Sequence, residues 1–190
     1  MSSTPQTPFP ITHRTTLHKG AKFDYEEVTW VGDGGRMVTR QFVRHGGAVV
    51  IVPVLEQTGK ARQVVLIRSR RMSIPADLWE LPAGTREHEE DPRECAAREL
   101  EEETGFSAAK VEPLGTFHTS PGMTNELMHA FVATGLSVVG QRLEADEGII
   151  AHPMPVADVW RLVDAGEIKD AKTLAALLLA QRRGFLESNP

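Results

Sequence analysis

Between residues 84 and 106 the chain reads GTREHEEDPRECAARELEEETGF, and this stretch carries nine acidic side chains against three arginines. Its local charge is −6, whereas the whole 190-residue chain is −5, so the remainder is close to neutral. A segment that concentrates negative charge in this way needs something to offset the repulsion. A divalent cation does so directly, because hard cations such as Mg²⁺ prefer carboxylate oxygens.

Local signals predict a loop and then a helix. Asp91 suits the N-cap, Pro92 the first helical position, and Glu94 follows Asp91 by three residues as in a capping box. Ala96, Ala97, Leu100 and the glutamates favour helix, and Gly105 supplies a stop. On that helix Glu99, Glu102 and Glu103 fall at i, i+3 and i+4 and share one face. Like charges at this spacing destabilise a bare helix, and a bound cation reverses the sign. A solvated acidic face is the simpler alternative. Cys95, the chain's one cysteine, lies away from the Glu99 face and reads as a packed thiol, with no internal disulfide framework.

The spacing of the whole segment goes further. Gly84, five residues, Glu90, seven residues, then Arg98-Glu99-Leu100-Glu101-Glu102-Glu103-Thr104-Gly105-Phe106 resembles the Nudix box, G-x5-E-x7-R-E-U-x-E-E-x-G-U with U apolar, at every specified position. The resemblance implies a Nudix hydrolase, with an α+β fold built as an α/β/α sandwich around a mixed sheet. It implies metal ligation by Glu99, Glu102 and Glu103 with the backbone carbonyl of Ala83, and a supporting role for Glu90 and Arg98 through hydrogen bonds and ion pairing. Mg²⁺ is the expected ion, with Mn²⁺ as an alternative. Cleaving a diphosphate needs its charge neutralised, a water acidified and a base to take the proton.

The box says little about the substrate. Ser120-Pro121-Gly122 reads as a plain turn, but Pro121 stands 16 positions after Gly105, a distance that resembles the ADP-ribose pyrophosphatase group. Residues 79–84, WELPAG, resemble that group's approach to the box and bring Glu80 among the substrate-contact candidates. Arg68 and Arg71 read either as surface cations or as diphosphate clamps, for which arginine is the best-suited side chain. Glu126 matches a ribose-contacting position and reads equally as a solvent-facing strand residue. The resemblance also implies a late loop glutamate over the metals, as ligand or base. Glu147 fits best, Glu144 comes next, Asp146 shares the loop, and Glu102 is a further catalytic candidate. The expected reaction is hydrolysis of ADP-ribose to AMP and ribose 5-phosphate. Alternatives are another nucleoside diphosphate sugar, such as GDP-mannose, or a regulator that binds ADP-ribose without turnover.

Along the rest of the chain, residues 1–13 are rich in Pro, Ser and Thr and read as a loose arm without a signal peptide. Residues 14–45 read as an antiparallel β lobe with a hairpin at Asp33-Gly34-Gly35. In the resembled group such a lobe builds a homodimer and lines the nucleotide pocket, with Phe23, Trp30 and Arg40 as candidates. Residues 46–187 form the expected hydrolase domain. Within it 47–55 and 63–68 read as buried strands, 73–77 as a loop, 111–119, 127–134 and 149–154 as strands, and 156–165 and 170–183 as helices. The seven histidines lack paired ligand spacing, and His118 and His129 read as strand residues. A pI near 5.8 argues against a general nucleic-acid or membrane-surface binder. No apolar run approaches the length of a membrane span, and the expected location is the cytoplasm.

Overall fold

The computed structural model describes residues 10–143 and 148–187. The chain divides into two compact units, residues 1–46 with 120–126 and residues 47–119 with 127–190.

The first unit is an antiparallel sheet of β1 (Ile11–Lys19), β2 (Phe23–Val31) and β3 (Met37–His45), in that order. Asp33-Gly34-Gly35 joins β2 to β3 as predicted, with both glycines at positive φ. β1 starts at Ile11, inside the stretch read as an arm. Four of its nine residues are β-branched and suit a pleated strand, although all nine are exposed. Ile11, Leu17, Phe23, Tyr25 and Met37 also remain exposed. In residues 120–126 the Ser120 carbonyl accepts from the N–H groups of Met123 (2.9 Å) and Thr124 (3.0 Å), making the expected turn. Asn125 then bonds both the N–H (2.8 Å) and the carbonyl (3.1 Å) of His45.

The second unit carries the helices and the larger sheet. Its strands are β4 (Ala48–Leu55), β5 (Gln63–Arg71), β6 (Ala76–Glu80), β7 (Ala83–Thr85), β8 (Phe106–His118), β9 (Leu127–Val138) and β10 (Ile149–Pro155), and its helices are α1 (Pro92–Thr104), α2 (Val156–Asp164) and α3 (Ala171–Arg182). The sheet runs β10-β5-β4-β9-β8, with β6 on β5 and β7 on β4. β4 and β9 are parallel and the other pairs antiparallel, so the sheet is mixed.

β4 shows why. All eight of its residues are buried, the signature of a strand covered on both faces. Ala48, Val50, Val52 and Val54 pack with Val159 of α2 and with Ala176, Leu177 and Ala180 of α3. Val49 and Ile51 pack with Cys95, Ala96 and Leu100 of α1. The two-residue period of a strand therefore sets α1 on one face and α2 with α3 on the other. Two expectations are corrected. Residues 76–77, read as loop, belong to β6, because β5 continues to Arg71 and turns back, pairing Arg71 with Ala76 and Ile67 with Glu80. β8 begins at Phe106, directly after the helix stop, rather than at residue 111. Among the described residues no helix is long and apolar enough to cross a membrane.

Candidate active site

α1 begins as its sequence dictates. The Asp91 side chain accepts from the N–H groups of Arg93 (2.8 Å) and Glu94 (3.4 Å), Pro92 follows, and Gly105 ends the helix in the left-handed conformation at φ 73°. With Cys95, Ala96 and Leu100 buried against the sheet, the Glu99, Glu102, Glu103 face is turned toward β7 and the segment before it. Glu103 is only 5% exposed, and its Oε2 accepts from the Ala83 N–H at 2.8 Å. Glu99 lies against Gly84 so closely that a Cβ there would sit 1.9 Å from the Glu99 carboxyl carbon. Any side chain at residue 84 would push the Glu99 carboxylate aside. Thus Ala83 anchors one glutamate through its N–H, and Gly84 admits another.

Arg98 ties the remaining acids together. Its Nε and Nη2 donate to the two oxygens of Glu90 at 3.0 and 3.1 Å, and its Nη1 donates to Glu99 at 2.8 Å and Glu102 at 3.0 Å. The forked bond from Arg98 holds the Glu90 carboxyl down at about 2, against the opposing effect of burial. The same bonds raise the Arg98 guanidinium. Burial pushes the Cys95 thiol up to about 12, so it is no thiolate nucleophile at neutral pH.

Among the described residues no three acidic, histidine or cysteine side chains converge on a point that would hold a metal. Arg98 draws Glu99 and Glu102 to itself, and the Ala83 N–H draws Glu103. By chemistry the donor set nevertheless fits a hard divalent cation. It consists of three carboxylates on one helix face and a neighbouring backbone carbonyl, all oxygen donors, with Gly84 leaving room for the Glu99 carboxylate beside that carbonyl.

Two arginines expected near the substrate lie on opposite faces of β5, since an offset of three residues reverses the side of a strand. Arg68 stacks on Trp79, its guanidinium carbon 4.8 Å from the ring centroid, on the face of the α2 and α3 core that Trp79 also joins. Arg71 lies on the other face. Its Nε and Nη2 donate to the two oxygens of Glu80 at 2.7 and 2.6 Å, and the field of Glu103 also reaches it. Glu80 is fully buried, and its Oε2 also accepts from Lys172 Nζ. Asp170 pairs with Lys172 at 2.9 Å.

Arg40, Ser120, Pro121, Gly122 and Glu126 belong to the first unit. There Arg40 donates to the Thr39 carbonyl (2.8 Å), and Glu126 faces His45 at 3.6 Å. Glu144, Asp146 and Glu147 lie outside the described residues. The residues just before them are informative, however. Arg142 N–H donates to the Glu102 carbonyl at 3.1 Å, Gln141 Nε2 to the Glu103 carbonyl at 2.6 Å, and Arg142 Nη2 to Glu101 at 2.9 Å. The chain thus caps the last turn of α1, beside the acidic face, immediately before the acidic segment. Sequence reading passed over Gln141, Arg142 and Lys172, and took Asp170 as the N-cap of α3, which it is, without a part in the site. None of the three passed over stands in a motif.

Comparison with known proteins agrees with this geometry. The NUDIX domain profile matches residues 44–177. The chain is 36% identical over 156 residues to the ADP-ribose pyrophosphatase of Bacillus subtilis (strain 168), covering 81% of this chain and 82% of that one. It is 32% identical over 183 residues to the GDP-mannose pyrophosphatase of Shigella flexneri serotype 5b (strain 8401), covering 90% and 91%. A crystal structure of an ADP compounds hydrolase superposes with a TM-score of 0.75, at 25% identity, over 95% of this chain and 96% of the other.

Proposed function

Because this chain belongs to the NUDIX domain family, as a pyrophosphohydrolase, we propose that its substrate is ADP-ribose, cleaved to AMP and ribose 5-phosphate. The observation that carries the reading is the acidic face of α1 built against Ala83 and Gly84, in a chain 36% identical to an ADP-ribose pyrophosphatase. Glu99, Glu102, Glu103 and the Ala83 carbonyl would hold Mg²⁺ or Mn²⁺, which when bound neutralises diphosphate charge and acidifies water. Arg98 keeps Glu90, Glu99 and Glu102 in place, and Arg71 receives non-bridging phosphate oxygens. A carboxylate of the segment entered from Arg142, Glu147 first and Glu144 next, takes a proton from the attacking water. The new P–O bond forms as the bridging P–O bond breaks, and the departing phosphate leaves as an oxyanion.

GDP-mannose is the second reading, favoured by the 32% identical relative. The test is turnover of ADP-ribose and GDP-mannose with Mg²⁺ and Mn²⁺, with the products separated by chromatography. AMP and ribose 5-phosphate at the higher kcat/KM are expected. Faster release of GMP and mannose 1-phosphate would move the substrate, and no turnover of either would overturn both readings. In the same assay Glu147→Gln is expected to lower kcat with KM unchanged; an unaffected kcat moves the base to Glu144. The exposed apolar residues of the first unit's sheet support a homodimer. Light scattering at micromolar concentration is expected to give the dimer mass, and a monomer mass would remove that assembly.

A further inference from the structure

We propose that the first turn of α3 is a positioning device for the substrate's diphosphate: Lys172, held by Asp170, shares the Glu80 carboxylate with Arg71 and so fixes the edge of the guanidinium left for phosphate. The inference rests on the pyrophosphohydrolase reading and concerns residues outside the Nudix box.

The geometry is specific. Of the five N–H donors of a guanidinium, Arg71 gives one from Nε and one from Nη2 to Glu80. The other three point away from that fork, and the side chain is 42% exposed. A fork held on one edge presents the opposite edge in a fixed plane, which is what bidentate recognition of phosphate oxygens requires. Glu80 can do this only if it is itself immobile. Its backbone is paired with Ile67 in the sheet, its side chain is buried, and Lys172 closes on Oε2 from 92 positions along the chain.

Lys172 also changes the charge balance. A lone Glu80 would neutralise Arg71 and leave little positive field for a diphosphate. With Lys172 on the same carboxylate, the charge of Glu80 is shared between two cations instead of being spent on Arg71 alone, and Asp170, at 2.9 Å, holds the lysine in place, so that the four side chains together are neutral. The same turn secures the adjoining backbone. Thr173 Oγ1 accepts from the Leu81 N–H at 2.8 Å and donates to Asp170 at 2.6 Å, and the next carbonyl, Pro82, accepts from Ile51 at 2.9 Å. One turn of α3 therefore sets both the Arg71 side chain and the strand end that leads into Ala83.

The test is a double-mutant cycle in the full-length protein, with Lys172→Met and Arg71→Ala singly and together, read as kcat and KM for ADP-ribose and as inhibition by inorganic pyrophosphate. Lys172→Met is expected to raise KM and the pyrophosphate inhibition constant roughly tenfold with kcat within about twofold. Lys172→Arg should restore both. In the Arg71→Ala background Lys172→Met should add little, because the lysine acts through the arginine. Lys172→Gln, which keeps a hydrogen-bond donor and removes the charge, runs alongside; it is expected to give an intermediate KM and serves in the cycle if the Met variant does not fold. Unchanged KM and inhibition in a folded variant, or effects that add fully across the cycle, would overturn the proposal. A wild-type protein inert toward nucleoside diphosphate sugars would instead overturn the substrate reading, and pyrophosphate binding would still report on Lys172.

Discussion

Glu103→Gln is expected to lower kcat/KM with Mg²⁺ by at least about a hundredfold, since losing even an outer-shell partner of a metal ligand typically costs 10–100-fold. The substitution is chosen to separate charge from structure. Glu103 is 5% exposed and its Oε2 takes the Ala83 N–H at 2.8 Å; glutamine retains an oxygen that can accept that bond. What it removes is one negative charge from a face shared with Glu99 and Glu102, where like charges repel. The melting temperature should therefore hold or rise. Calorimetric titration with Mn²⁺ supplies a readout independent of turnover, and there a weakened cation affinity is expected. Undiminished turnover together with undiminished Mn²⁺ affinity would remove Glu103 from the ligand set.

How far such a site is legible in the sequence depends on which interactions are local. The course of α1, its Asp91 cap and the shared face of its glutamates follow from residues within two turns of each other, and all were readable. So was β4, because an unbroken apolar run has few other places to go than between two layers. The two-faced identity of β5 was not. Arg68 and Arg71 look alike as isolated cations; the register of β5 with β6 sets Arg68 opposite Trp79, while Arg71, opposite Ala76, reaches Glu80 only through its side chain. β6 escaped because Arg70 and Arg71 extend β5 with polar residues at an exposed end, where hydrophobic alternation gives no signal. The roles of Gln141, Arg142 and Lys172 were hidden for a different reason. Each acts through a side-chain or backbone bond to a segment far away in sequence, and no periodicity encodes such a partner.

Glu80 supplies the second large effect, and it separates two roles. As a substrate contact, its loss would raise KM and leave stability alone. In the fold it is a fully buried carboxylate bound by Arg71 and Lys172. Glu80→Ala leaves Arg71 without its carboxylate and Lys172 with Asp170 alone, and breaking a buried pair in this way costs about 3–5 kcal/mol. Arg71 is partly exposed and can rehydrate, so the lower end of that range is expected, still a large share of the roughly 5–15 kcal/mol that holds a domain together. Urea unfolding measures it. The pH dependence gives a second check. Burial raises the Glu80 carboxyl, but the bonds from Arg71 and Lys172 outweigh burial and leave it below its ordinary value. A depressed carboxylate contributes its full stabilisation above the unfolded-state pKa and loses it as pH falls through the folded value. The stability gap between wild type and Glu80→Ala should thus be widest near neutrality and narrow in acid. A gap that stays flat from neutral to acidic pH, or a variant as stable as wild type, would mean that Glu80 holds no such charge in the fold.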